Sequence, residues 1–267
     1  MKNRVSIVIP YKDDSAAKQM KDCIKSLFAQ GTPPYEIIAV GAKDLKLDRR
    51  VKHIKDFGDK NAARNIGIKN ASGDYILYLD HDMTAEPNLI SDCILLMSLY
   101  DAVIIPEKGH GGNFWENCQK LEKELIQYDM HTVTPRFYKR SLFKKGDLPF
   151  DGRFGLLDEW GFNHKLVKLK ARIGYSRSYL NVKQNGLTLK NEIRNKFFRG
   201  YWMKNFYAID KDEAWIRINP VKRGLLFYGT RFYYLFKEPI YFPGLILLKT
   251  IDFAAFMAGY AYGLLKR

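Results

Sequence analysis

The chain opens on a short apolar, β-branched run, Val5-Ser6-Ile7-Val8-Ile9, stopped by Pro10. Such a run predicts a strand covered on both faces. The period then changes. Between residues 15 and 29, Met20, Cys23, Ile24, Leu27 and Phe28 recur at helical spacing. Glu36–Val40 predicts a second strand, stopped by Gly41. Asn61–Asn70 predicts a helix ended by Ser72-Gly73. Tyr75–Leu79 predicts another strand and runs at once into Asp80-His81-Asp82. A helix over Leu89–Leu99 and a strand over Ala102–Ile105 follow. Strands alternating with helices predict a parallel sheet with helices on both faces. In open sheets of this kind a ligand sits beyond the carboxyl ends of the strands. Two acids one step past a buried strand therefore mark the expected site.

From about residue 107 the pattern loosens. Glu107–Asn113 reads as a glycine-containing loop and Phe114–Tyr128 as a helix. Phe137–Lys145 reads as a strand or turn in a segment with Arg136, Lys139 and Arg140. Leu156–Lys170 reads as a loop opening into a helix. There is no internal repeat or low-complexity segment. Ile240–Leu265 is nearly all apolar, broken near its start by Pro243-Gly244 and interrupted by Lys249 and Asp252. Its uninterrupted stretches fall short of the roughly 20 residues a membrane-spanning helix needs. A span requires a snorkelling Lys249. One or two helices lying in the membrane interface fit the pattern better. A helix packed on the core or on a second copy is the alternative.

Composition narrows this picture. A chain of 267 residues accommodates one large domain, or a domain with a C-terminal extension, and needs no disulfide staples. Cys23, Cys93 and Cys118 form no CxxC pair, which predicts buried thiols in a reducing compartment. The net charge is +15, unevenly spread: residues 1–182 hold 29 Lys/Arg against 23 Asp/Glu, and residues 183–267 hold 15 against 6. That basic last third is also rich in Tyr, Phe and Trp. Such a combination suits nucleic acid, a membrane interface or a solvated basic face. No zinc-finger, RNP or helix-turn-helix signature accompanies it, so no nucleic-acid partner is expected. Met1-Lys2-Asn3-Arg4 leads straight into a strand without the apolar region of a signal peptide. The catalytic part is therefore expected in the cytoplasm.

Asp80 and Asp82 lie on one side of an extended backbone, because strand side chains repeat every two residues. Their hard oxygens suit Mg2+ or Mn2+, which take one or two carboxylates plus substrate phosphates. A cation there would offset charge on a departing diphosphate. Acid pairs after strands also occur in ordinary loops. Arg64, in Asn61-Ala62-Ala63-Arg64-Asn65-Ile66-Gly67, reads as a phosphate or base contact or as a plain surface residue of a helix. Asp158-Glu159 stand beside Trp160, where poor solvation would raise a carboxyl toward general-base work. Acids also favour a helix N-terminus, and the two readings are compatible. Arg194, Arg199 and Lys204 are interleaved with Phe197, Phe198, Tyr201 and Trp202. They read as a grip on the phosphate of a lipid carrier, with the aromatics at headgroup level, or as a dimer face.

Taken in order, these pieces resemble the family-2 glycosyltransferases of the GT-A fold. The resemblance runs through Val5–Tyr11, Ala63–Gly67, Gly73–Asp82, Phe150-Asp151 and Asp158-Glu159, over residues 4–190. The stretch from Ala62 to Asp82 is its specific part. The tail after Lys237-Glu238-Pro239 looks like the membrane-associated C-terminus of prokaryotic members. The resemblance implies an α/β fold: a mostly parallel central sheet flanked by helices over residues 1–190, then a basic, aromatic helical region over 191–267 that meets a membrane surface or a second copy. It implies an inverting transfer of a sugar from a UDP-, GDP- or dTDP-sugar to a hydroxyl, assisted by Mn2+ or Mg2+. In it, Pro10 and Tyr11 would line the nucleoside pocket and Arg64 would lie near the base or diphosphate. Asp80 would stand by the ribose and, with Asp82, hold the metal. Glu159 takes the place of the general base, with Asp158 retained because the usual acid order is reversed. A polyprenyl-linked acceptor, surface glycan or glycoprotein assembly, and a peripheral place on the inner face of the cell membrane complete the expectation.

Three positions depart from the family pattern. The second strand ends in Val40-Gly41-Ala42 instead of an acidic pair, with Asp44 or Asp59 as substitutes. Gln184 stands where relatives carry a metal-binding histidine, as a third metal position. Gly161 replaces a further acid. They support an alternative expectation: a GT-A-fold protein with reduced catalysis that binds nucleotide sugars or acts as a scaffold.

Overall fold

A computed structural model of the chain describes residues 3–12, 16–42, 45–56, 58–128, 133–144, 146–183, 187–219, 221, 233 and 236–266. The chain divides into two compact units. The first comprises residues 1–107, 134–152 and 162–182; the second comprises 108–133, 153–161 and 183–267. The division is thus not a single cut in the chain.

In the first unit, β1 (Val5–Pro10), β2 (Glu36–Gly41), β3 (Val51–Lys55) and β4 (Tyr75–Tyr78) are mutually parallel. The sequence reading missed β3, an edge strand of five residues in which Lys52 and Lys55 interrupt Val51, His53 and Ile54. β5 (Met83–Ala85) stands outside this sheet. Three short strands complete the unit's sheet: β6 (Ala102–Ile104), β8 (Phe137–Lys139) and β9 (Ile173–Tyr175). Its order is β3-β2-β1-β4-β8-β6-β9. β8 runs antiparallel to both β4 and β6, so the sheet is mostly, not wholly, parallel. β7 (Glu107–His110) forms where a loop was expected. β10 (Leu180–Lys183) pairs antiparallel with β5 through Leu180–Val182.

α1 (Ala17–Phe28) buries Met20, Cys23, Ile24 and Leu27, its expected apolar stripe. α2 (Lys60–Lys69) is capped by Asp59, whose carboxylate accepts from the backbone N–H of Asn61 and Ala62. Gly67 is required there, because a β-carbon would overlap the Val8 side chain. α3 (Leu89–Leu96) ends three residues earlier than expected. All three cysteines are free, buried thiols, as expected.

In the second unit, α4 (Phe114–Ile126) starts with a capping box between Asn113 and Glu116. α5 (Asp158–Lys168) starts in the segment 153–161, and its residues from Phe162 onward count with the first unit. α6 (Leu189–Ile209), α7 (Lys211–Ile218) and α8 (Phe242–Leu265) follow. α6 and α8 pack so closely that β-carbons at Gly200, Gly259 and Gly263 would overlap the facing backbone. The expected alternative of a snorkelling Lys249 is corrected here. Its ammonium turns into the protein, 2.6 Å from Glu122 Oε2 on α4 and 2.5 Å from Asp252 Oδ2. Lys196 on α6 adds contacts of 3.2 Å to Asp252 and 3.1 Å to Glu192. Three acids and two lysines thus form one cluster where three helices meet. Withdrawing the ammonium to water would leave the buried carboxylates around it less compensated, which is costly.

Candidate active site

Strand order places β1 between β2 and β4, with the connections leaving to opposite sides. The carboxyl ends of β1 and β4 are therefore the crevice where such sheets bind ligands. Pro10 ends β1 and Tyr11 follows it, and Asp80-His81-Asp82 follow β4.

Asp80 is ringed by cations. Lys60 Nζ lies 2.9 Å and Arg64 Nη2 3.1 Å from its Oδ1, and Arg136 Nη2 lies 3.9 Å from Oδ2. Burial opposes its ionisation, but Lys60, Arg64 and Arg136 outweigh that and hold the carboxyl well below the usual range. Asp82 behaves oppositely: burial, then the charge of Asp80, push its carboxyl up. Among the described residues Asp82 has no salt bridge. The two acids of the triplet therefore divide: one is saturated by side-chain cations, and the other is short of positive charge.

Arg64 is 0% exposed, so it is not the surface helix residue considered above. Its guanidinium lies 5.0 Å from the Tyr78 ring centroid and 4.9 Å from that of Phe150. Arg136 lies 5.3 Å from the same Tyr78 ring and donates to Glu107 Oε1 at 2.7 and 3.0 Å. The next residue of the motif, Asn65, pins the backbone of Phe150: its amide donates to the carbonyl at 2.6 Å and accepts the N–H at 3.1 Å. Gly73-Asp74 are structural. Asp74 pairs with Arg4, and a β-carbon on Gly73 would come within 2.6 Å of Ser6 Oγ.

Tyr11 is buried, and its hydroxyl hydrogen-bonds to His53 Nε2 on β3. This explains Gly41. A β-carbon there would stand 2.5 Å from the Tyr11 carbonyl oxygen and 2.7 Å from its ring. The end of β2 has no room for an acid because Tyr11 lies across it.

Asp158 and Glu159 form the first turn of α5 and belong to the second unit. Trp160 beside them stacks on the Arg217 guanidinium at 4.5 Å and lies near Phe206 and Phe256. Gly161 is forced by the Phe154 ring, which a β-carbon would strike. Arg194 lies 6.0 Å from the Phe198 ring centroid. Lys204 donates to the Lys266 carbonyl at 2.8 Å. Arg194, Arg199 and Lys204 are five residues apart, each step turning about 140° around the helix, so the three do not share one face. Gln184 and Asp44 lie outside the described residues.

The sequence reading assigned no role to Lys60, His53, Glu107 or Arg136. Lys60 adjoins the Asn61–Gly67 motif, which was its one signal. Arg136 was noted only as part of a strand or turn. Among the described residues no three His, Cys, Asp or Glu side chains gather into a metal-holding group. A cation here would have to be carried by Asp82 together with ligand phosphates.

Comparison with known proteins agrees with this architecture. An uncharacterized glycosyltransferase of Rickettsia typhi is 31% identical over 144 residues, covering 47% of this chain and 45% of that protein. Glycosyltransferase GlyA of Streptococcus pneumoniae is 21% identical over 237 residues, covering 75% of this chain and 33% of that one. The chain thus spans less than half the length of these curated relatives. The crystal structure of Staphylococcus aureus TarS residues 1–349 in complex with UDP-GlcNAc matches 99% of this chain and 92% of its own. That match has a TM-score of 0.54 at 13% identity, and it shows a shared GT-A fold. The profile of Glycosyl transferase family 2 matches residues 6–155, more than half of the chain, and the chain belongs to that family.

Proposed function

We propose that the protein is an inverting glycosyltransferase that moves a sugar from a nucleotide-sugar donor to a hydroxyl acceptor. The observation that carries this reading is the split between Asp80 and Asp82 at the carboxyl edge of the sheet. A donor diphosphate needs positive charge. Lys60, Arg64 and Arg136 supply fixed cations beside Asp80, and Asp82 lacks one. Pro10 and Tyr11 line the nucleoside side of the crevice. When bound, Mn2+ or Mg2+ at Asp82 supplies Lewis-acid neutralisation of the leaving nucleoside diphosphate. Asp80, held by its cations, orients the ribose side. Glu159, with Asp158 as the alternative, accepts the proton of the acceptor hydroxyl as its oxygen attacks the anomeric carbon from the face opposite the leaving group.

The relative solved with UDP-GlcNAc makes a UDP-sugar the first donor to try. The acceptor we favour is polyprenyl-linked, in surface glycan or glycoprotein assembly at the inner face of the cell membrane. This part rests on the basic, apolar C-terminal helices. The test is nucleoside diphosphate release from UDP-, GDP- and dTDP-sugars with Mn2+. Release is expected for one donor class, and Asp82→Ala should lower it by about 100-fold or more, the scale of one electrostatic contact to developing charge. Binding of a donor with no release on any acceptor would favour a scaffold with reduced catalysis.

A further inference from the structure

We infer that α8 is an in-plane membrane helix: it lies along one leaflet of an anionic lipid surface and does not cross it. This rests on the membrane part of the proposed function and gives that part a definite geometry.

By length and composition α8 passes for a span. The segment Pro239–Leu265 has a mean hydropathy of 1.5 in its most apolar window, and 24 helical residues reach about 36 Å, against about 30 Å of hydrocarbon. What it packs against decides otherwise. One side of α8, through Leu245, Leu248, Asp252, Phe256, Gly259 and Gly263, is buried in the second unit. At mid-helix that side carries Lys249 and Asp252, bound to Glu122 of α4 and Lys196 of α6. Backbone-close contacts tie α8 to α6 from Gly200 opposite Phe256 to Tyr201 opposite Gly263. Crossing the bilayer would therefore take α6 along. α6 carries six charged residues, Lys190, Glu192, Arg194, Lys196, Arg199 and Lys204, and Arg194 and Arg199 are exposed. Charged side chains are the costliest to place in hydrocarbon.

The other side of α8 is a continuous exposed stripe. It runs through Leu247, Thr250, Ala254, Ala258, Ala261 and Leu265 at intervals of three and four residues, flanked by Ile246 and Phe253, without a charge. A helix with one apolar stripe needs to sink only about 5–10 Å into the headgroup boundary. Charge selects lipid over a second copy as the occupant. Lys237 precedes the stripe, and Lys266 ends it beside Lys204. The only acid within Pro239–Leu265 is the buried Asp252. Residues 183–267 carry 15 basic against 6 acidic residues. Two copies of such a surface would repel, whereas an anionic leaflet attracts it.

The test is co-flotation of the full chain with vesicles of phosphatidylcholine alone or of phosphatidylcholine mixed with the anionic lipid phosphatidylglycerol. We expect the protein to float with the anionic vesicles only and to be stripped by alkaline carbonate. The double variant L247D/F253D, changed only on the exposed stripe, should bind at least tenfold more weakly with an unaltered unfolding midpoint. Binding that resists carbonate would mean a span and overturn the inference. So would a protein that stays at the bottom of the gradient, or sediments as a dimer that the double variant dissociates. Nucleoside diphosphate release in detergent-free buffer is measured in parallel. Its persistence without flotation would sink the membrane geometry alone; its absence with normal flotation would sink the donor chemistry alone.

Discussion

Replacing Lys249 with methionine tests whether α8 is held by the charge cluster of the second unit. The ammonium contacts Glu122 at 2.6 Å and Asp252 at 2.5 Å. Two unit charges about 4 Å apart at an effective dielectric of about 20 attract by about 4 kcal/mol, so the gross loss approaches about 8 kcal/mol. Two effects reduce it. Lys196 still neutralises Asp252 and Glu192. A carboxyl that loses this lysine also escapes by taking a proton: a rise of about three pKa units costs about 4 kcal/mol and sets a ceiling. The net expectation is about 3–4 kcal/mol, within the range for breaking a buried pair. Urea unfolding of the full chain at pH 7.5 reads this as a midpoint shift at unchanged slope. Burial opposes the charge on Lys249, but Glu122 and Asp252 outweigh it and raise its pKa above the ordinary lysine value. In the wild type its contribution is therefore complete below the unfolded lysine pKa and is lost only above the lysine range. In Lys249→Met the deficit should shrink as pH falls, because a carboxyl deprived of this lysine takes up a proton more readily. A triple variant with Glu122→Gln and Asp252→Asn added should regain most of the stability. A loss under about 1 kcal/mol, or no regain in the triple variant, would show that the cluster does not hold the helix.

Three further outcomes follow from close contacts. Asn65→Ala removes both hydrogen bonds to Phe150, each worth about 0.5–1.5 kcal/mol. It should also weaken donor affinity, because Phe150 walls in Arg64; calorimetry that finds donor binding unchanged would separate the two. Gly161→Ala drives a methyl into the Phe154 ring and should cost about 1–3 kcal/mol in thermal or urea unfolding. Gly41→Asp, which restores the family's acid, should be no more active than the wild type and less stable. Adding Tyr11→Ala to it should recover only part of the stability, because the ring is removed but the Tyr11 carbonyl oxygen, 2.5 Å from the new β-carbon, stays.

The fold was legible where period and punctuation agree. Val5–Ile9, Tyr75–Leu79 and the Met20–Phe28 stripe each show one clear period, and each became the expected element. β3 was missed because it is short, on an edge and half polar. The reversal at β8 was missed because strand direction leaves no local trace in three residues. Within the site, the place of Asp80 and Asp82 one step past a buried strand was legible; Arg64 stayed open between a ligand contact and a surface helix residue until the fold buried it against Asp80. Lys60 and Arg136 were not legible, because their roles depend on the topology that brings residue 136 beside residue 80. Gly41 and Gly161 looked like losses of function in sequence; in space each makes room for an aromatic ring. The charges in the apolar tail looked like interruptions, and pairing to α4 and α6 across more than 50 residues gives them partners no local pattern contains.

The central claim is that Asp82 lacks a cation which a metal-bound donor provides. It is tested most directly by calorimetric titration of a UDP-sugar into wild type and Asp82→Asn, with and without Mn2+. The account predicts tight binding only for wild type with Mn2+, at least tenfold weaker binding in the other three combinations, and full binding but no turnover in Glu159→Gln. Equal donor affinity in all four combinations would contradict it.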